Sequence, residues 1–288
     1  MPLRLLLVSH LASAREITGA ERSLLDLARG FWGRCRRALA DGLRVQECGH
    51  HGLLDLALLN AQQLLLRFAG ELDRAEKQLD VVGQQDVKAD WAVQVYRNIL
   101  AAERNRRRLW SDGLKPEFLL DPPSYIELHL QAINRLREGH PDEAKALLEK
   151  SADERPEVMA SLSGQAAASF QDCDDVLAPV LEVIILRDYL WVPLEQIQEL
   201  EVAKPERPRD LIWAPIRLVL ADGSQRRGYM PVLYPGSHAH PDDQIKLGRA
   251  TDWRESSGGP ICGVGHKSFL CGDDIVGALE LREVRFGS

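Results

Sequence analysis

"IRLVLADGSQRRGYMPVLY", residues 216–234, sets two apolar runs on either side of Asp222-Gly223. An Asp-Gly pair between such runs marks a β-hairpin, because the favoured two-residue turn needs positive φ at both central positions. The same grammar continues on both sides. "LEVIIL" (181–186) leads through Arg187-Asp188 into "YLWVP" (189–193), and "CGDD" (271–274) before "IVGALELREVRF" (275–286) predicts a hairpin that closes the fold. "PLEQIQEL" (193–200) reads as a helical turn or two. Residues 156–288 are therefore expected to form a small, mainly antiparallel α+β domain.

Upstream, the period changes from two to between three and four. "LLDLALLNAQQLLLRF" (53–68) and "ADWAVQVYRNILAAERNRRRLW" (89–110) carry apolar residues at helical spacing, the second with Trp91, Val95, Ile99 and Leu109. Pro122 and Pro123 stop one helix and open another, which predicts a helical hairpin over 122–150. Gly70, Ala75 and Leu79 share their spacing with Gly139, Ala144 and Leu148, and Pro156 follows the second set. The glycines stand 69 residues apart, close to two units of about 34 residues. This resembles the second half of a tetratricopeptide repeat, with glycine at the turn, a small Ala where helices meet and a proline ending the unit. Residues 51–155 are accordingly expected to be a helical, repeat-like domain. "SADERPEVMASLSGQAAASFQDCDD" (151–175) is small and polar, a linker or a loose first hairpin.

Residues 1–50 fit neither grammar. They hold eight Arg, no Lys and two Cys, and their apolar residues keep no sustained period, so little stability is expected from them.

Composition narrows the function. A formal charge of −7 argues against a general nucleic-acid binder. The basic run Arg104 to Arg108 reads as a solvated helix face. Five cysteines without Cys-x-x-Cys spacing fit a reducing compartment and carry no zinc signature. No apolar run approaches the roughly 18 residues of a membrane span, and Ser9 and His10 interrupt the Leu-rich start too early for a secretory leader. The expectation is a cytoplasmic protein with no membrane insertion, cofactor or metal.

"GPICGVGHKS" (259–268) nearly spells the phosphate-cradling loop G-x-x-x-x-G-K-[ST]. His266 stands between Gly265 and Lys267, and the flanking sequence lacks the strand-to-helix setting that such a loop needs. Cys262 and His266 would make a nucleophile and base if brought within hydrogen-bond reach. More simply, Cys262 is a small hydrophobe in a connection. "SHAHPDD" (237–243) has metal-like His238, His240, Asp242 and Asp243, yet Pro241 and the Asp residues suit an ordinary loop. Asp252, Trp253 and Arg254, in "TDWRE", read as a packed Trp anchor or an interface contact in a loop-rich region. No other catalytic constellation is present in the sequence.

Taken in order, "FQDCDDVLAPVLEV", "YLWVPLEQI", "RPRDLIWAPIRL", "VLYPGS", "LGRATDW" and "GVGHKSFLCGD" resemble the ImpE/TagJ family of type VI secretion accessory proteins. The likeness is close over about 165–288 and looser over 60–160. It implies a helical, repeat-like domain joined to a small α+β domain. It also implies a non-enzymatic cytoplasmic adaptor that engages the small subunit of the contractile sheath and influences sheath recycling by the ClpV unfoldase. No catalytic residues carry over. Gly236, in "VLYPGS", and Gly265 are then structural turn residues, and residues 1–50 depart from the family pattern. The alternative is an enzyme using the 259–268 loop, as a nucleotide hydrolase or through Cys262.

Overall fold

A computed structural model describes residues 70–85, 90–167 and 169–287, which fall within one compact unit starting at Leu66. Residues 1–50 and the helix expected over 53–68 lie outside the described residues.

Helices come first. α1 (Leu72–Gln85) and α2 (Asp90–Asp112) pair antiparallel: Asp80 meets Arg97 at 2.6 Å and Asp73 meets Arg104 at 3.0 Å. Ala75 and Leu79 of α1 are buried, as are Val93, Ile99, Leu100, Ala102 and Leu109 of α2. Trp91, expected on that stripe, is 73% exposed. At the helical advance of about 100° per residue it stands nearly opposite Val93. α2 ends at Gly113, which takes φ +74, and the next residue's N–H (Leu114) turns back to the Arg108 carbonyl at 3.2 Å.

α3 (Tyr125–Arg137) and α4 (Pro141–Glu154) form the hairpin anticipated over 122–150. Pro141 sits at the start of α4, where its missing N–H costs nothing. Arg155 is extended at φ −81, ψ 144, as a residue before proline must be, and Pro156 leads the chain into the sheet.

Thirteen strands follow among the described residues: β1 (Ala160–Leu162), β2 (Gln165–Ala167), β3 (Phe170–Asp172), β4 (Val180–Ile185), β5 (Asp188–Pro193), β6 (Ile197–Val202), β7 (Trp213–Leu220), β8 (Gln225–Pro231), β9 (Thr251–Glu255), β10 (Ile261–Gly265), β11 (Ser268–Cys271), β12 (Asp274–Gly277) and β13 (Glu283–Phe286). Eight build an antiparallel sheet in the order β2-β1-β13-β6-β7-β8-β4-β5. β12-β11-β3 and β10-β9 form smaller sheets beside it. The chain is thus an α+β protein of helices and antiparallel sheet.

The quoted stretch is indeed a hairpin, β7–β8, and β7 alternates buried Ala214, Ile216, Leu218 and Leu220 with partly exposed residues. Its turn differs from the expectation. Only Gly223 has positive φ (+80), and the Gly223 N–H reaches the Leu220 carbonyl at 2.8 Å. The loop is a three-residue connection with one left-handed position, where Asp222 accepts from the Ser224 N–H at 2.8 Å. The β4–β5 turn falls on Leu186-Arg187, one residue earlier than expected, because Ile185 pairs with Asp188. "PLEQIQEL" is a 3₁₀ turn (Leu194–Gln196) followed by strand β6, whose buried Ile197, Leu200 and Val202 face the core. The 151–175 segment supplies a true hairpin, β1–β2.

The core lies between the sheets, where Phe170 stacks on Phe269 at 5.3 Å and meets Phe286 edge-on at 5.2 Å. β4 is buried on both faces, α2 covering one side. β5, last in the sheet order, is capped by residue 117: Glu117 donates to the Tyr189 carbonyl at 3.1 Å and accepts from the Trp191 N–H at 3.0 Å. That strap removes an open sheet edge.

Candidate functional site

The residues that stand out chemically are buried. Glu182 occupies the middle of β4, fully sealed from solvent within the apolar run "VLEVII". A lone carboxylate there must be paired, since an unpaired buried charge is prohibitively costly. Arg106 of α2 supplies the pairing, with Nε and Nη2 at 2.7 and 2.8 Å from its two oxygens. Nη2 also donates to the Leu233 carbonyl at 2.8 Å. Lys267 approaches the same carboxylate at 2.9 Å and Asp172 at 3.0 Å. Tyr189 donates to Glu182 at 2.6 Å and receives the Trp191 indole N–H at 2.7 Å. Tyr234 donates to Asp172 at 2.7 Å, and its ring lies 5.0 Å from the Lys267 ammonium.

The electrostatics are consistent with fixed charges. Burial disfavours ionised Glu182, but Arg106 and then Lys267 outweigh it and hold the carboxyl well below its ordinary range. Burial likewise works against the Lys267 ammonium, and Asp172 and Glu182 reverse that, leaving its pKa raised. The network therefore locks α2 onto β4, β11's entry and the residue 234 segment. Beside it Asp172 accepts from the Asp174 N–H at 2.9 Å, and burial, then Asp172, pushes the Asp174 carboxyl up to about 7.

This answers the "GPICGVGHKS" question. Residues 261–265 are strand β10, and Lys267 is 1% exposed and committed to two carboxylates, not facing a phosphate site. Burial, then Asp174 and Asp175, pushes the Cys262 thiol far up, the reverse of what a nucleophile needs. Burial lowers the His266 pKa. Gly265 takes φ +98 with its α-carbon against the Ala250 carbonyl, where a side chain would collide.

The other sequence candidates scatter. His238 lies against Gly70, whereas His240 turns to Asp252 at 3.3 Å and accepts from the Asp242 N–H at 3.1 Å. Among the described residues no three His, Cys, Asp or Glu side chains gather as a metal set. Gly70, Gly139 and Gly236 all have positive φ, Gly70 and Gly139 two residues before the first residues of α1 and α4, while Ala75 and Ala144 are buried. The Arg104–Arg108 run is not a simple solvated face. Arg104 pairs with Asp73 and Glu76, Arg107 donates to the Gly70 carbonyl, and Arg106 is 3% exposed.

Asp252, Trp253 and Arg254 belong to strand β9 rather than a loop. Trp253 is 40% exposed, and its ring meets Tyr234 edge-on at 5.8 Å. Register places Trp253 opposite Gly263, where any side chain would strike the Tyr234 ring. A small residue here is what lets the ribbon lie on Tyr234.

A family model described as ImpE protein matches residues 164–285. The type VI secretion system accessory component TagJ of Pseudomonas aeruginosa is 36% identical over 222 residues, 77% of this chain and 78% of its own. The chain belongs to the ImpE family. The ImpE match contains Asp172, Glu182, Tyr189, Tyr234 and Lys267 together with all of β9, whereas Arg106 comes from the helical layer before it. The crystal structure of protein VPA1032 from Vibrio parahaemolyticus has the same overall fold, with a TM-score of 0.75 at 18% identity, covering 93% of this ImpE chain and 95% of its own. Among the described residues no helix is long and apolar enough to cross a membrane.

Proposed function

We propose that this ImpE-family protein is a non-enzymatic, cytoplasmic adaptor of a type VI secretion system. In this reading it binds the small subunit of the contractile sheath and thereby influences sheath recycling by the ClpV unfoldase. The helical part, 51–155, acts as a tetratricopeptide-like receptor and the α+β part, 156–288, as its rigid neighbour. Asp252, Trp253 and Arg254 form a second exposed contact surface.

The observation that carries this reading is an open groove of about 620 Å³ along α3 and α4. Ala146 and Leu147 supply apolar surface, and Arg135, Glu143 and Lys150 a polar rim. Paired helices with such a groove suit an amphipathic helical ligand, whose apolar side chains recur at three- and four-residue spacing. A helix near the N-terminus of the small sheath subunit is the ligand in this reading. The buried network supports a scaffold role too, since its charges are spent on each other.

The test is co-purification. Tagged full-length protein expressed with the sheath subunits should retain the small subunit, and Leu147→Glu should release it. Retention that Leu147→Glu leaves intact would move the site elsewhere, and failure to retain the subunit at all would remove the assignment.

A further inference from the structure

Among the described residues the outer edge of β9 is an open strand edge, and its sequence is complementary to itself. β10 is satisfied on the side away from β9: the Ile261, Gly263 and Gly265 N–H groups bond Asp175, Asp174 and Ser237 at 2.6, 2.8 and 2.7 Å. The carbonyls of Ile261 and Gly265 turn the same way, to the N–H groups of Asp175 and Tyr234. In an antiparallel ladder the residues opposite these positions must therefore turn their own backbone groups outward. Those residues are Thr251, Trp253 and Glu255. Among the described residues β9 has no second neighbouring strand, and Asp252, Trp253, Arg254 and Glu255 are all exposed.

Open edges in natural proteins are often blunted by charge. Here the charges have opposite signs two residues apart, so they do not repel a second copy. Reversing "TDWRE" about Trp253 sets Asp252 against the copy's Arg254, Arg254 against the copy's Asp252 and Thr251 against the copy's Glu255. We infer that β9 pairs antiparallel with β9 of a second copy of this chain, on a two-fold axis through Trp253, to give a continuous four-stranded ribbon. This goes beyond the partner reading above and does not depend on it.

The geometry fits at each position. Trp253 has outward-facing backbone groups, so it exchanges both N–H···O bonds with its own copy, and Thr251 does so with the copy's Glu255. Asp252 and Arg254 then fall in non-hydrogen-bonded pairs, where facing side chains come closest. In the single chain the Asp252 carboxylate bends round to accept from the Trp253 N–H at 2.9 Å, filling in for a missing strand acceptor. The copy's Trp253 carbonyl replaces it and frees the Asp252 Oδ1 for the copy's Arg254, while Oδ2 stays with His240 at 3.3 Å. A two-fold contact of this kind closes on itself as a dimer. A contact of one short strand is small, so the association is weak and concentration-dependent.

Sedimentation equilibrium of the full chain, at concentrations up to several hundred micromolar, tests it. Wild type should show a reversible monomer–dimer equilibrium. Asp252→Arg alone and Arg254→Asp alone should each weaken dimerisation about tenfold or more, because each places like charges opposite one another. An equimolar mixture of the two variants restores both opposite-charge pairs and should dimerise at least as tightly as wild type. Both sites are exposed, and matching thermal melts for the three proteins will confirm that the variants fold. Three outcomes overturn the proposal: a monomer throughout, a dimer that neither substitution weakens, or variants that melt like wild type yet do not recover on mixing.

Discussion

The Arg106 guanidinium holds both oxygens of Glu182, at 2.7 and 2.8 Å, and ties helix α2 to strand β4 where solvent does not reach. Removing one member of such a pair leaves an uncompensated buried charge. Glu182→Gln leaves Arg106 with Glu103 at 3.7 Å and Lys267 with Asp172 at 3.0 Å. Arg106→Met leaves Glu182 with Lys267 and Tyr189. Both should destabilise by about 3–5 kcal/mol, with Glu182→Gln the worse. Urea unfolding checks the order, and a smaller loss for Glu182→Gln would show that the network is not organised around its carboxylate.

Lys267→Met should lose stability on a similar scale, about 3–5 kcal/mol, because buried Asp172 then loses its cation and Glu182 keeps Arg106 alone. Titration calorimetry of the wild type with Mg-ATP should give no binding heat. ATP binding abolished by Lys267→Met in a protein of unchanged melting temperature would contradict this placement.

His129 supplies a pH dependence. Its Nδ1 donates to the Val176 carbonyl at 2.8 Å and its Nε2 accepts from Ser151 at 2.8 Å, which fixes the neutral ring. Burial, with a smaller contribution from Arg155, pushes its pKa down to about 4. The unfolded chain, with an ordinary value near 6.5, binds the proton first, so stability is full above about pH 6.5 and is lost as pH falls towards 4. The loss should approach about 3 kcal/mol. Chemical denaturation at pH 7.5 and 4.5, compared between wild type and His129→Gln, measures it: the variant should lack this loss, while Asp174, pushed up to about 7, works in the opposite direction in both proteins. An unchanged slope in that variant would assign the effect to other groups.

Leu186 takes φ +55 at the β4–β5 turn while 73% exposed. A bulky side chain gains little there and strains the backbone. Leu186→Asn should raise stability by about 1 kcal/mol, as Asn tolerates the left-handed region. A thermal melt reads it, and a lower melting temperature would mean that the leucine is held by contacts that outweigh the strain.

Much of the framework was legible because it rests on local chemistry. Asp222-Gly223 marks the central hairpin, Pro141 and Gly139 mark the α3–α4 turn, and the alternation of β7 separates its faces. Local patterns misplaced what depends on partners far along the chain. "TDWRE" has no strand signature, since most of its residues are exposed, and it becomes β9 only by pairing with "ICGVG". Spacing alone groups Trp91 with the apolar stripe of α2, although the helix buries the opposite side. The buried network was missed because Arg106, Glu182 and Lys267 share no motif. One signal was available: Glu182 interrupts an otherwise apolar strand and demands a distant cation.

The central claim is that the α3–α4 groove receives an amphipathic helix of the small sheath subunit. Its most direct measurement is fluorescence anisotropy of a labelled peptide spanning that helix, titrated with the full-length protein at low and moderate salt. The account predicts saturable binding that changes little with salt, as apolar contact dominates, and that Leu147→Glu weakens about tenfold or more. Absence of binding, or binding that disappears with salt and is indifferent to Leu147→Glu, would contradict it.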